Sequence, residues 1–166
     1  MALHDEILSL RVGCGFDAHA FCEGRPLVLG GVTFDHPFGL AGHSDADVLI
    51  HAVIDGILGG AGLGDIGILF PDTDLSYKNI SSVTLLERVV SLLNENNIRI
   101  INIDSVIICQ KPKISPYLPA MKEKLSSVLG ISPEVIGIKG KTTEKLGFTG
   151  RSEGIAVQCS VLLYKE

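Results

Sequence analysis

The sequence predicts an α+β fold: a single domain with one mixed β-sheet and helices on one face. Three observations carry this. Stretches with the two-residue rhythm of strands and stretches with helical periodicity follow one another, but without the strict alternation of a parallel α/β chain. The length, 166 residues, suits one domain, and no repeat, low-complexity tract or Pro/Ser linker divides it. Hydrophobic residues make up 46% and aromatics only 5%, with no Trp, so a core is available and it is aliphatic.

Taken in order, residues 11–20 read as a strand. Residues 27–29 and 32–34 are short strands around Gly30-Gly31, a hairpin-turn pair. Ser44 or Asp45 is the expected N-cap of a helix running to about Leu58, which the glycine-rich residues 59–67 must end. Residues 82–97 form a second helix. Leu85, Leu86, Val89, Val90, Leu92 and Leu93 make its broad apolar face, and Glu87, Arg88 and Glu95 lie outside it. Residues 98–110 are β-branched and read as a strand. Ser115-Pro116 opens a third helix that Gly130 closes, and Ser132-Pro133-Glu134 repeats the start signal for one short turn. Residues 135–139 and 155–164 are the last strands. In the final one Ile155, Val157, Cys159, Val161 and Leu163 share a face. Ala156, Leu162 and Tyr164 make the opposite face apolar too, so this strand is expected to be covered on both sides.

Composition narrows the function. The formal net charge of -5 and a pI near 5.5 exclude a nucleic-acid binder that works through a basic face. The N-terminus lacks the pattern of a secretory signal and is too acidic for a transit peptide. Residues 48–70 are apolar, but His51, Asp55 and Asp65 interrupt them, so no membrane span is expected. Cys14, Cys22, Cys109 and Cys159 show no C-x-x-C spacing and read as reduced thiols of a cytoplasmic protein. The mean hydropathy of +0.36 is high for a monomer of this size.

Four clusters could carry chemistry. Asp17-Ala-His19 lies in the first strand, where residues i and i+2 share a face, so a carboxylate and an imidazole can converge on one metal ion. His43, Asp47, His51 and Asp55 recur every four residues along one stripe of the first helix. A His from that stripe could complete a three-ligand site of the catalytic zinc type, with Asp47 or Asp55 orienting a ligand imidazole. Gly62-Leu-Gly64-Asp-Ile-Gly67 matches the dinucleotide fingerprint in letters only, because a helix precedes it and the turn Pro71-Asp72-Thr73-Asp74 follows. Residues 139–151 combine Thr142, Thr143, Glu144, Lys139, Lys141, Lys145 and three glycines, a loop suited to phosphate and to a Mg2+ ion shared with it. Lys111 and Lys113 add cations before a helix start.

Taken together these segments resemble the 2-C-methyl-D-erythritol 2,4-cyclodiphosphate synthase family of the non-mevalonate isoprenoid pathway. The markers are GxGFDAHAF at residues 13–21, GHSDADV at 42–48, GDIGxLFPDTD at 64–74, TTEKLGFTGR at 142–151 and EGIA at 153–156. Five such motifs in this order and spacing are specific, and the likeness spans residues 11–164.

The resemblance implies an enzyme, a phosphorus-oxygen lyase. It would convert 4-diphosphocytidyl-2-C-methyl-D-erythritol 2-phosphate to the 2,4-cyclodiphosphate with release of CMP. It assigns Asp17, His19 and His51 to Zn2+ or another divalent cation, and Glu144 to Mg2+ or Mn2+ shared with the substrate diphosphate. His43 and Thr142 match transition-state residues, and Ser44 pairs with His43 on the substrate. Asp65 and Gly67 match ribose and polyol contacts and Asp72 a methylerythritol hydroxyl contact. Residues 109–115, with Cys109, Pro112 and Lys113, match a cytidine and phosphate pocket read largely through backbone groups. Further substrate contacts are implied at Asp17, His19, Ile66, Phe70, Asp74, Lys141, Thr143, Glu144, Phe148 and Arg151. The family is a homotrimer with sheets facing the threefold axis and active sites between subunits. Phe16, Arg151 and Glu153 match residues around a central channel that holds an isoprenoid diphosphate in some members. Cys14 stands where His is frequent, Ala46 where Gly is common, and Lys141 where some members have Thr. Residues 1–10 are expected to be an N-terminal extension without an assigned role, and residues 11–166 the single synthase domain.

Overall fold

The structure is a computed structural model and describes residues 9–166. The expected extension therefore lies largely outside the described residues, although Leu10 already belongs to the first strand.

A five-stranded sheet in the order β4-β1-β7-β5-β6 forms the frame. Its strands are β1 (Leu10–Cys22), β4 (Gly39–Leu40), β5 (Ile98–Ile108), β6 (Ile136–Lys141) and β7 (Gly154–Lys165). β1 and β5 both run antiparallel to the central β7, whereas β5 and β6 run parallel, so the sheet is mixed. Parallel neighbours need a crossover. The chain supplies it with helix α4 (Leu118–Leu129), preceded by a 3₁₀ turn over Ser115–Tyr117 and closed by Gly130 in the left-handed conformation. β2 (Leu27–Leu29) and β3 (Val32–Phe34) form the small hairpin. Gly30 and Gly31, at φ 59° and 72°, supply the two positive-φ positions that such a turn requires.

The inner face of β7 is the alternating set expected from the sequence: Ile155, Val157, Cys159, Val161 and Leu163 are all buried. Register places Ile103 and Ile107 of β5 beside this row, and Gly13 and Gly15 of β1 on its other side. Helix α1 (Val48–Ala61) lies across β1 and β7, flanked by helix α3 (Ser82–Glu95). Its approach to β1 depends on glycine. A Cβ on Gly13 would overlap the Gly56 carbonyl oxygen, and one on Gly15 would overlap that of Ala52. Backbone therefore rests on backbone, and the helix face next to β1 is drawn unusually near the strand. No helix among the described residues is long and apolar enough to cross a membrane.

Three expectations change. α1 begins at Val48 with Asp47 as its cap, not at Ser44 or Asp45. Ala46 sits at φ 57°, a conformation that cannot lead into a helix, and this is the position where glycine is common in the resembled family. The helix also continues through Gly59 and Gly60 and ends only at left-handed Gly62. The glycine stretch then holds one extra turn, α2 (Ile66–Leu69). The outer face of β7 is covered only in part within one chain: Ala156 is buried and Leu162 and Tyr164 are half-buried, but Gln158 and Ser160 are exposed, and Val12 and Phe16 of β1 beside them are 76% and 59% exposed.

Candidate metal centre and active site

β1 carries Asp17 and His19 on the face that meets α1, and α1 carries His51 one residue before its glycine-guided contact. The result is a converging donor set. Asp17 Oδ2 lies 2.9 Å from His19 Nε2 and 3.0 Å from His51 Nδ1, and the two imidazole nitrogens are 3.1 Å apart. These are the ligand atoms of the one cluster of metal-binding side chains found among the described residues. His19 Nδ1 sits 2.7 Å from the Ala41 carbonyl, which can only accept, so Nδ1 carries a hydrogen and, in the neutral ring, Nε2 offers a lone pair. Bare nitrogens and a carboxylate oxygen turned on one point repel unless a cation lies among them. Two imidazoles and a carboxylate are also a donor set that suits a catalytic divalent ion.

Protons on the imidazoles can play the cation's part at the same point. Burial pulls the Asp17 carboxyl up, yet the hydrogen bonds and charges of His19 and His51 outweigh it and hold the group well below the usual carboxylate range. His19 shows the converse. Burial works downward, but Asp17 and the Ala41 carbonyl raise it above the ordinary histidine value, with Arg25 opposing.

These three side chains open into a cleft of ≈ 250 Å³, also lined by Gly42, His43, Ser44, Ile66, Gly67, Phe70 and Asp72. The loop of His43 and Ser44 is pinned from outside. The Arg25 guanidinium donates to the Gly42 carbonyl at 2.8 Å and to the Ser44 carbonyl through a short bond. His43 Nε2 is buried with no hydrogen-bond partner among the described residues, so a ligand acceptor would satisfy it. Asp65 caps α2 through the Ile68 amide, and Asp74 caps the following 3₁₀ turn through the Ser76 amide. Both carboxylates are exposed and lie outside the cleft lining.

A second cleft, of ≈ 700 Å³, gathers Cys109, Gln110, Lys111, Pro112, Lys113, Lys141 and Thr142 where β5 and β6 end. Burial pushes the Cys109 thiol up to about 11, so it is an inert wall. Thr142 donates to Glu144 through a short bond, and Thr143 Oγ1 donates to the Leu146 carbonyl at 2.5 Å. Phe148 is 41% exposed, and Arg151 Nε donates to Glu153 at 2.7 Å. Glu144 stands apart from the Asp17, His19 and His51 cluster. The two clefts have no lining residue in common.

Neither Asp47 nor Asp55 orients an imidazole. Asp47 is fully buried and accepts the Gly30, Gly31 and Ile50 amides at 2.9, 2.7 and 3.0 Å, tying the hairpin turn to the start of α1. Asp55 accepts the Ile66 amide at 2.8 Å. The groups behind His51 are Ser44 and Ser82, each with Oγ 3.0 Å from Nε2. Sequence reasoning missed Ser82. It lies 31 positions from His51, and locally it is only a serine at a helix start.

Comparison with known proteins adds the following. The YgbB family model matches residues 10–164. A 2-C-methyl-D-erythritol 2,4-cyclodiphosphate synthase of Caldicellulosiruptor bescii is 56% identical over 153 residues, 92% of this chain and 98% of the relative. Among solved structures, the bifunctional IspDF of Campylobacter jejuni superposes with TM-score 0.91 at 46% identity, covering 95% of this chain. This chain spans only 42% of that longer one. The IspF CDP complex of Plasmodium falciparum superposes with TM-score 0.84 at 35% identity, covering 95% of this chain and 97% of the other.

Proposed function

The chain belongs to the YgbB family and is an enzyme of the lyase type, and on that footing we propose that it converts 4-diphosphocytidyl-2-C-methyl-D-erythritol 2-phosphate to 2-C-methyl-D-erythritol 2,4-cyclodiphosphate with release of CMP. The observation that carries the proposal is the convergence of Asp17, His19 and His51 in the cleft that also holds His43 and Ser44.

The reaction is an intramolecular phosphoryl transfer. An oxygen of the 2-phosphate bonds to the β-phosphorus, the bond from that phosphorus to the bridging oxygen breaks, and CMP leaves with the oxygen and its electron pair. The nucleophile is already an anion, so positioning and charge neutralisation carry the catalysis. Asp17, His19 and His51 would hold Zn2+, and Glu144 would hold Mg2+ or Mn2+ with the diphosphate. Bound there, such ions neutralise charge developing on the phosphates. His43 donates to the transferring group from one side and Thr142 from the other. Ser44 holds the substrate beside His43. Asp65, Gly67 and Asp72 hold the ribose and polyol. The backbone of residues 109–115 reads the cytosine, with Lys113 and Lys141 on the phosphates. The CDP held by the Plasmodium falciparum relative supports a cytidine diphosphate ligand for this chain.

His43 and Thr142 line different clefts. We therefore read the working unit as a homotrimer in which the metal cleft of one subunit meets the cytidine cleft of the next. The open sheet face with Val12 and Phe16 turns to the axis, and Phe16, Arg151 and Glu153 surround a channel suited to an isoprenoid diphosphate. The cytoplasm is the expected location.

The test is product analysis by 31P NMR with and without chelator. The expected result is one equivalent of CMP and a cyclic diphosphate, both lost on chelation. A linear phosphate product would mean a phosphohydrolase, and CMP release indifferent to chelator would remove the metal centre from the mechanism.

A further inference from the structure

Behind His51 runs a buried polar chain whose hydrogens can be counted. Ser82 is 0% exposed and opens α3. Its Oγ donates to Asp45 Oδ1 in a short hydrogen bond, and its backbone N–H donates to Asp45 Oδ2 at 3.0 Å. The same Oγ lies 3.0 Å from His51 Nε2. A carboxylate only accepts, so the single hydroxyl hydrogen of Ser82 is committed to Asp45. What Ser82 offers His51 is a lone pair. That bond is made when Nε2 carries the imidazole hydrogen, which leaves Nδ1, the atom 3.0 Å from Asp17 Oδ2, with its lone pair free. Ser44 Oγ, 3.0 Å from the same Nε2, accepts the Ala46 amide, and its own hydrogen has the Ser82 Oγ at 3.5 Å as an acceptor, which leaves it a lone pair for Nε2–H.

We propose that Asp45 and Ser82 are positioning residues that fix His51 as its Nε2–H tautomer and so aim the Nδ1 lone pair at a divalent cation held with Asp17 and His19. The inference rests on the metal-centre reading above. Neither residue contacts the cation; both act through His51, as groups behind a metal-ligating histidine commonly do.

The discriminating variant is Asp45→Asn, which keeps the shape and reverses the chain at Ser82, while also giving up the 3.3 Å bond that Asp45 Oδ1 accepts from the Asp47 amide. The Ser82 N–H still needs an acceptor, so the Asn oxygen faces it and the Asn NH2 faces Ser82 Oγ. The Ser82 hydrogen is then turned toward His51, favouring the Nδ1–H tautomer. Ser82→Ala removes the hydroxyl but leaves the backbone bond to Asp45. Ser82→Thr keeps the hydroxyl.

The experiment uses the metal-free full chain with 15N-labelled histidine at mildly alkaline pH. Long-range 1H–15N correlation reports the tautomer, and competition with a chromophoric chelator reports Zn2+ affinity. The expected results are Nε2–H in the wild type, a shift toward Nδ1–H in Asp45→Asn, and a loss of roughly 10–100-fold in Zn2+ affinity in Asp45→Asn and Ser82→Ala, with Ser82→Thr near wild type. An Nδ1–H wild type, or folded Asp45→Asn and Ser82→Ala proteins that both bind Zn2+ as the wild type does, overturns the inference while leaving the metal centre standing. A wild type that does not bind Zn2+ overturns both.

Discussion

The Asp55 carboxylate accepts the Ile66 amide at 2.8 Å, one helical turn beyond His51 in α1. This bond couples the helix that carries a metal-centre histidine to the loop that carries Asp65 and Gly67. Burial raises the Asp55 carboxyl, and Asp65 and Asp17 add to that, while the Ile66 amide pulls it back. Removing the acceptor frees the loop. Asp55→Ala should raise KM about tenfold, the scale of a lost charge-assisted hydrogen bond, with a smaller change in kcat. Asp55→Asn keeps an acceptor and should retain most of the affinity. Steady-state kinetics of the two variants decide it, and equal losses in both would remove the loop-anchoring role.

The ligand set makes a blunter prediction. Asp17→Ala and His51→Ala should each abolish stoichiometric metal, measured by elemental analysis after dialysis. Cyclisation should fall by about three orders of magnitude, because several kcal/mol of charge stabilisation are lost. A variant that keeps both metal and turnover would show that the cluster is a hydrogen-bonded structural knot.

How far the residues themselves foretold this site depends on the range of each contact. Asp17 and His19 were legible because strand geometry alone puts i and i+2 on one face. The alternation in β7 was equally plain. The start of α1 was misjudged because Ser44 and Asp45 are typical capping residues, yet both side chains are spent elsewhere: Ser44 on His51, 7 positions away, and Asp45 on Ser82, 37 positions away. The four-residue stripe from His43 to Asp55 suggested one ladder, but His43 lies before the helix with its Nε2 unpartnered among the described residues, and Asp47, His51 and Asp55 each bond to different groups. Ser82 left no local trace, since its meaning comes only from folding α3 against the loop before α1.

Asp47 gives a pH signature. Burial pushes its carboxyl up to about 6, against three amide donors that pull it down, with Asp45 adding to the rise. The folded value thus exceeds the ordinary 3.8. A carboxyl raised in this sense contributes stability that is fully present below the unfolded value and is lost as pH rises through the folded one. Urea midpoints of the wild type should therefore fall relative to Asp47→Asn between pH 4 and 7. A constant difference across that window would contradict the assignment.

Assembly is tested by sedimentation. The wild type should run at about three times the 17.7 kDa chain mass at micromolar concentration. Phe16→Asp, which puts a charge on the open sheet face, should shift it toward the monomer. A wild type that sediments as a monomer would defeat the trimer and with it any site composed between copies.

The separateness of the two clefts has a genetic consequence. His51 and Lys113 line different clefts, so in the proposed trimer a lesion at each would damage a different half of a shared site, and each mutant chain would keep the half that the other lacks. Two alleles that are individually dead should therefore complement when expressed together, because some mixed assemblies join an intact metal half to an intact cytidine half. A site built within one chain would allow no such rescue. Activity recovered from co-expressed His51→Ala and Lys113→Ala chains would read the architecture directly from function.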